Sequence, residues 1–115
     1  MIVAVNDKGR EIASRLALKL NDEICQLGDI ESRWNTEKHI IFIGAMGICV
    51  RSIAPFIKDK HTDPAVVCVD SLGKNVISVL SGHVGGANEL TSRIAEILKA
   101  NPVILPKATL KGSGL

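Results

Sequence analysis

The chain has 115 residues, a net charge of +2 and a hydrophobic fraction of 46%, which is one domain's worth with a modest core. Trp34, Phe42 and Phe56 are its aromatic residues, too few for the stacking platform of a single-strand nucleic-acid binder. No apolar run approaches the ~18 residues of a membrane helix, and Met1-Ile2-Val3-Ala4-Val5 has no export-signal character, so a soluble cytoplasmic protein is expected, with no nucleic-acid and no membrane partner.

Ile2 to Val5 reads as a short strand, and Asn6-Asp7 as the cap of a helix whose apolar face is Ile12, Leu16 and Leu20. Ile24 to Leu27 suggests a second short strand, and Gly28 to Lys38 a polar loop. His39 to Ile43 has the near-continuous apolar character of a parallel strand covered on both faces. Ile48 to Ile57 follows as a helix disturbed by Pro55, and Lys58 to Pro64 as a charged turn in which Asp63-Pro64 acts as turn initiator. Ala65 to Val69 and Val76 to Leu80, separated by a short gap with Gly73, predict a β-hairpin. A helix from about Ala87 to Ala100 and a strand from Pro102 to Leu105 complete the pattern. Strands alternating with helices predict a layered α/β/α domain, with a mixed, mostly parallel sheet, over residues 1–106. Residues 107–115 lose all periodicity and read as an irregular tail.

Cys25, Cys49 and Cys68 form no C-x-x-C pair, and His39, His61 and His83 lack ligand spacing, so no protein-bound metal is expected. Cys49 and Cys68 sit in apolar surroundings and read as small core residues. Two glycine-bearing junctions stand out: Gly44-Ala45-Met46-Gly47 and Ser81-Gly82-His83-Val84-Gly85-Gly86. Strand-to-helix loops of such sheets open at the carboxyl edge, where ligands bind, and a helix start offers free N–H donors. Neither loop matches a Walker A or a full G-x-G-x-x-G pattern. His83 is either an imidazole shaping its own turn or a general acid or base at a helix mouth. Glu89 either complements the helix dipole or assists His83; Asn88 either bonds its own backbone or faces a ligand. Arg51 is either a solvated helix residue or a carboxylate clamp.

The segments FIGAMGICVRSIAPFIKDKHTDPAVVCVD and VISVLSGHVGGANELTSRIAEIL resemble the amino-terminal domain of the CbiG family, the cobalt-precorrin-5A hydrolases of anaerobic cobalamin biosynthesis. That resemblance implies opening of a δ-lactone on a cobalt-bearing tetrapyrrole, with release of acetaldehyde to give cobalt-precorrin-5B. The protein itself would bind no separate cofactor, since the cobalt arrives within the corrinoid substrate. The motif supplies the positions and residue chemistry suggests the roles: His83 as catalytic base, Glu89 orienting it or shuttling a proton, and the amides of Gly85 and Gly86 as oxyanion donors. Gly44, Gly47 and Arg51 would hold peripheral carboxylates, and Asp63, Ser81 and Asn88 belong to the same substrate-binding set. Family members usually continue into a carboxyl-terminal module, which residues 107–115 are too short to be expected to supply. A homodimer or a separate module is therefore expected to supply a second wall, and a non-catalytic corrinoid-binding or scaffolding fragment is the alternative.

Overall fold

The computed structural model describes residues 1–106; the tail reading, which falls on 107–115, lies outside the described residues. Six strands form one sheet: β1 (Ile2–Ala4), β2 (Ile24–Cys25), β3 (His39–Ile43), β4 (Ala65–Val69), β5 (Asn75–Leu80) and β6 (Asn101–Val103), in the order β2-β1-β3-β4-β5-β6. All neighbours are parallel except β4 and β5. The predicted hairpin is thus present, and it turns β5 and β6 against the direction of β1 to β4.

Four α-helices cover the sheet: α1 (Asp7–Leu20), α2 (Asp29–Arg33), α3 (Met46–Ile53) and α4 (Ala87–Leu98). Asn6 caps α1 as expected, its side chain accepting from the Gly9 amide at 2.8 Å. On one face α1 and α4 bury Ile12, Leu16, Ile94 and Leu98 against Ile41, Val67 and Val76. On the other, Ile30, Trp34, Cys49 and Ile53 pack on Ile40, Phe42, Val66 and Cys68. Alternate residues of β3 and β4 thus enter different cores, which is why both strands read as unbroken apolar runs.

Three sequence expectations are corrected. Residues 29–33 are helical, not loop, because Ile30 and Trp34 are drawn into the second core at 1% and 2% exposure. α3 begins at Met46 and ends at Ile53, and Pro55 sits in a 3-10 turn over Ala54–Phe56; a ring with no N–H cannot continue the α ladder. β2 and β6 are shorter or shifted relative to the apolar runs that suggested them. Cys49 and Cys68 are core thiols, as read from sequence. No helix among the described residues is long and apolar enough to cross a membrane.

Candidate functional site

The reversal of β5 separates the two glycine junctions. Register pairs Ile43 with Val69 and Val69 with Val76, so the loop after β3 opens at the edge that also holds the β4–β5 turn. Val66 pairs with Leu80, so the loop after β5 opens at the opposite edge, beside the entry to β4. Strands β3 and β4, of five residues each, put roughly 16 Å between those edges. Gly44, Gly47 and Arg51 therefore do not share a site with His83. The Arg51 guanidinium folds back along α3, with Nη1 only 3.3 Å from where a Gly47 Cβ would stand. The rule that ligands gather at the carboxyl edge presumes parallel strands, and β5 breaks that premise.

At the second edge the loop 81–86 is tightly built. Ser81 is buried and lies in the left-handed region (φ 58°), a conformation costing about 1–2 kcal/mol for a residue with a side chain. It is held there from three directions. Its hydroxyl donates to the Asp63 carbonyl at 3.4 Å, and its own carbonyl accepts the amides of Gly85 at 3.1 Å and Ala87 at 3.2 Å. Gly85 lies so close that a Cβ would come within 2.6 Å of the Ser81 Cβ and 2.9 Å of its carbonyl oxygen. Gly86 turns the chain into α4 with φ 86°, which favours a residue lacking Cβ. The Asn88 amide donates to the Gly82 carbonyl at 3.0 Å.

This fold-back consumes donors that the sequence reading assigned to a ligand. The Gly85 N–H is committed to Ser81, so it does not stand free as an oxyanion donor; among the described residues the Gly86 amide has no acceptor. Ser81 is an internal support of the loop, although it reaches the wall of one cleft. Asp63 is corrected as well. Its carboxylate is filled by protein donors: Lys58 N–H at 2.8 Å and Asp59 N–H at 3.0 Å on Oδ2, and the Trp34 indole N–H at 3.2 Å on Oδ1. It clamps the turn before β4, and through its carbonyl it supports Ser81.

His83 is exposed and lies between two adjoining clefts. One, of about 250 Å³, is walled by Ser78, Val79, Gly82, Asn88 and Leu105. The other, of about 270 Å³, is walled by Lys60, Ser81, Gly82 and Val84. Asn88 is fixed by the Ser78 hydroxyl, which donates to Oδ1 at 2.6 Å; its Nδ2 has no partner among the described residues and belongs to the first cleft. Glu89 is exposed on the first turn of α4, and it and His83 make no mutual hydrogen bond or ion pair among the described residues.

Sequence reasoning missed Lys60, Ser78 and Leu105. Lys60 lies in the KDK run just before the Asp63 clamp, and a charged run tied to a buried carboxylate was the available signal. Ser78 is the one polar residue inside Val76-Ile77-Ser78-Val79-Leu80, which marks the strand position aimed at Asn88. Leu105 reaches the cleft only through the pairing of β6 with β5, and nothing local announces that.

A charged cluster lies farther along the same edge, at the start of β3. His39 Nε2 is 2.6 Å from Asp22 Oδ2, and the Met1 ammonium is 3.3 Å from Asp22 and 2.9 Å from Glu37. Burial pushes the Asp22 carboxyl upward, but the His39 hydrogen bond, the Glu23 amide and the nearby ammonium outweigh it and hold Asp22 below its ordinary value. Among the described residues no group of three or more histidine, cysteine or acidic side chains is placed to hold a metal ion.

A three-layer α/β domain with one reversed hairpin and a histidine on a close-packed glycine loop defines the class of molecule. The chain belongs to the cobalamin synthesis G N-terminal family, whose model matches residues 29–107; that family ties it to cobalamin biosynthesis. It is 57% identical over 75 residues to the cobalt-precorrin-5A hydrolase of Priestia megaterium, covering 65% of this chain and 20% of that protein. It is 56% identical over 71 residues to the Salmonella typhimurium enzyme of the same name, covering 62% of this chain and 20% of that one. A crystal structure of a cobalamin biosynthesis protein G homolog from Sulfolobus solfataricus superposes with a TM-score of 0.75 at 29% identity, over 93% of this chain and 36% of that chain. The chain thus matches about a fifth of the length of the curated relatives.

Proposed function

We propose that the chain is the chemistry-bearing amino-terminal domain of a cobalt-precorrin-5A hydrolase. The reading rests on one observation above the rest: His83 stands exposed at the junction of two clefts, on a loop whose glycines and buried Ser81 fix its position. A turn-shaping histidine would instead bond a nearby carbonyl, and His83 bonds none among the described residues.

His83 takes a proton from water as that water attacks the lactone carbonyl, and the ester C–O bond breaks to a carboxylate and an alcohol. The free Gly86 amide and Asn88 Nδ2 are the donors nearest the developing oxyanion. The imidazolium then releases its proton to solvent, and the neutral imidazole so regenerated removes the alcohol proton. The adjoining carbon–carbon bond breaks, its electron pair enters the macrocycle, and acetaldehyde departs. Lys60, which shares a cleft with His83, replaces Arg51 as the partner of a peripheral carboxylate. Glu89 acts as a solvent-side proton relay, since no contact couples it to the ring. Cobalt belongs to the substrate.

Purified chain incubated with cobalt-precorrin-5A should release acetaldehyde, and His83→Ala should lower the rate at least ~100-fold, the usual contribution of a positioned base. Undiminished turnover in that variant refutes the assignment. A second reading, a non-catalytic corrinoid-binding or scaffolding fragment, is favoured by the lack of a hydrogen bond or ion pair between His83 and Glu89 among the described residues. Sites of this kind bury about 70–90% of a ligand, so one open domain supplies one wall, and a second copy or a carboxyl-terminal module supplies the other. Turnover absent from the chain alone, and restored by adding such a module, would select that reading.

A further inference from the structure

The way the chain leaves the sheet determines where anything following it begins. β6 runs parallel to β5 but pairs only with its first half: Asn75 with Asn101, Val76 with Pro102 and Ile77 with Val103. Beyond Val103 the chain departs from the ladder, so Ser78, Val79 and Leu80 have no strand on their outer side among the described residues. An unpaired strand edge is a template for another backbone. Leu105 comes to rest against this open half-strand, in the wall of the His83 cleft, with its side chain 82% exposed. Val84, on the other side of His83, is 55% exposed. Two solvated apolar side chains and a bare strand edge thus frame the imidazole.

We propose that the polypeptide following this domain in its longer relatives docks on this edge, covering Ser78–Leu80, Val84 and Leu105, so that the His83 cleft is enclosed between two modules. Three observations converge. The relatives named as hydrolases are about five times longer than the segment this chain matches. The chain direction at residues 104–106 carries a following segment to the cleft and away from the Gly44 edge. The clefts, of about 250 and 270 Å³, are each smaller than the about 300–1,000 Å³ of a built ligand site even for a drug-sized molecule. The inference concerns an interface and does not depend on which bond is broken.

Amide hydrogen exchange tests it without substrate. Exchange is followed in this chain and in the full-length Sulfolobus solfataricus homolog, which spans 93% of it. In each protein, exchange at positions matching 78–84 is normalised to positions on the outer surface of α1 around Leu18. The normalised rate should be at least tenfold slower in the full-length protein. In that protein, an aspartate at the position matching Leu105 should restore most of the difference, while one at the position matching Leu18 should not. Equal normalised rates overturn the proposal, because they mean that the edge is open in both or already covered by residues 107–115 here. Slowing confined to the α1 surface also overturns it, by placing the interface on α1 and away from the β5 edge.

Discussion

Replacing Asp63 by alanine tests the link between the core and the His83 loop. The carboxylate accepts three donors, and they do not carry equal weight. Trp34 is 2% exposed, so its indole N–H loses its only partner among the described residues where water cannot reach, at about 1–3 kcal/mol for an orphaned buried donor. The Lys58 and Asp59 amides belong to exposed residues and can turn to solvent, so each loses only a net ~0.5 kcal/mol, the low end for an exchanged hydrogen bond. The sum, about 2–4 kcal/mol, is a large share of the 5–15 kcal/mol that holds a typical domain. Trp34 is the single tryptophan of a chain without tyrosine, so its fluorescence reports this site alone. With a urea m-value of about 1.5 kcal/mol/M the unfolding midpoint should fall by about 1.3–2.7 M. Asp63→Asn keeps one acceptor for Trp34 but sets an NH₂ against two amide donors, and it should fall between alanine and the parent. A midpoint for Asp63→Ala within 0.3 M of the parent would refute the clamp.

Other consequences are as direct. Gly85→Ala drives a Cβ into the Ser81 backbone and should cost about 1–3 kcal/mol in chemical denaturation, as overpacking does. Lys60→Gln should raise KM for the corrinoid about two- to fivefold with little change in kcat, the size of an exposed ion pair, while Arg51→Gln at the far edge should alter neither. Asp22, Glu37 and Asp70 are all held below their ordinary values once burial is outweighed by their hydrogen bonds. Groups so depressed contribute stability that is present above their unfolded values, 3.8 for aspartate and 4.5 for glutamate, and that is lost as pH falls through the folded ones. Thermal stability should therefore decline below about pH 4, less steeply in Asp22→Asn.

Much of the fold was legible because its signals are local. The Asn6 cap, the 3.6-residue stripe of α1 and the apolar runs of β3 and β4 each state their structure within a dozen residues. α2 was not legible, because a five-residue helix is specified by what Ile30 and Trp34 meet in space and not by its own polar composition. The site divided along the same line. His83, Gly86 and Asn88 were visible as a glycine-flanked helix start. The separation of Gly44, Gly47 and Arg51 from them follows from the direction of β5, which the predicted hairpin already implied but a rule for parallel strands obscured. Asp63 and Ser81 were marked as ligand contacts because polar residues in a distinctive motif attract that reading, whereas burial turned both inward.

The hairpin between β4 and β5 also gives the domain a handle. Its turn, where the Asp70 carboxylate accepts the amides of Leu72, Lys74 and Asn75, projects Leu72 at the sheet edge opposite the His83 loop. With Cys25, which is partly exposed, replaced by serine, a cysteine placed at Leu72 would compete with no accessible native thiol, since Cys49 and Cys68 are enclosed. A sensor surface tethered there would hold every molecule in one orientation, with the histidine loop facing the flow.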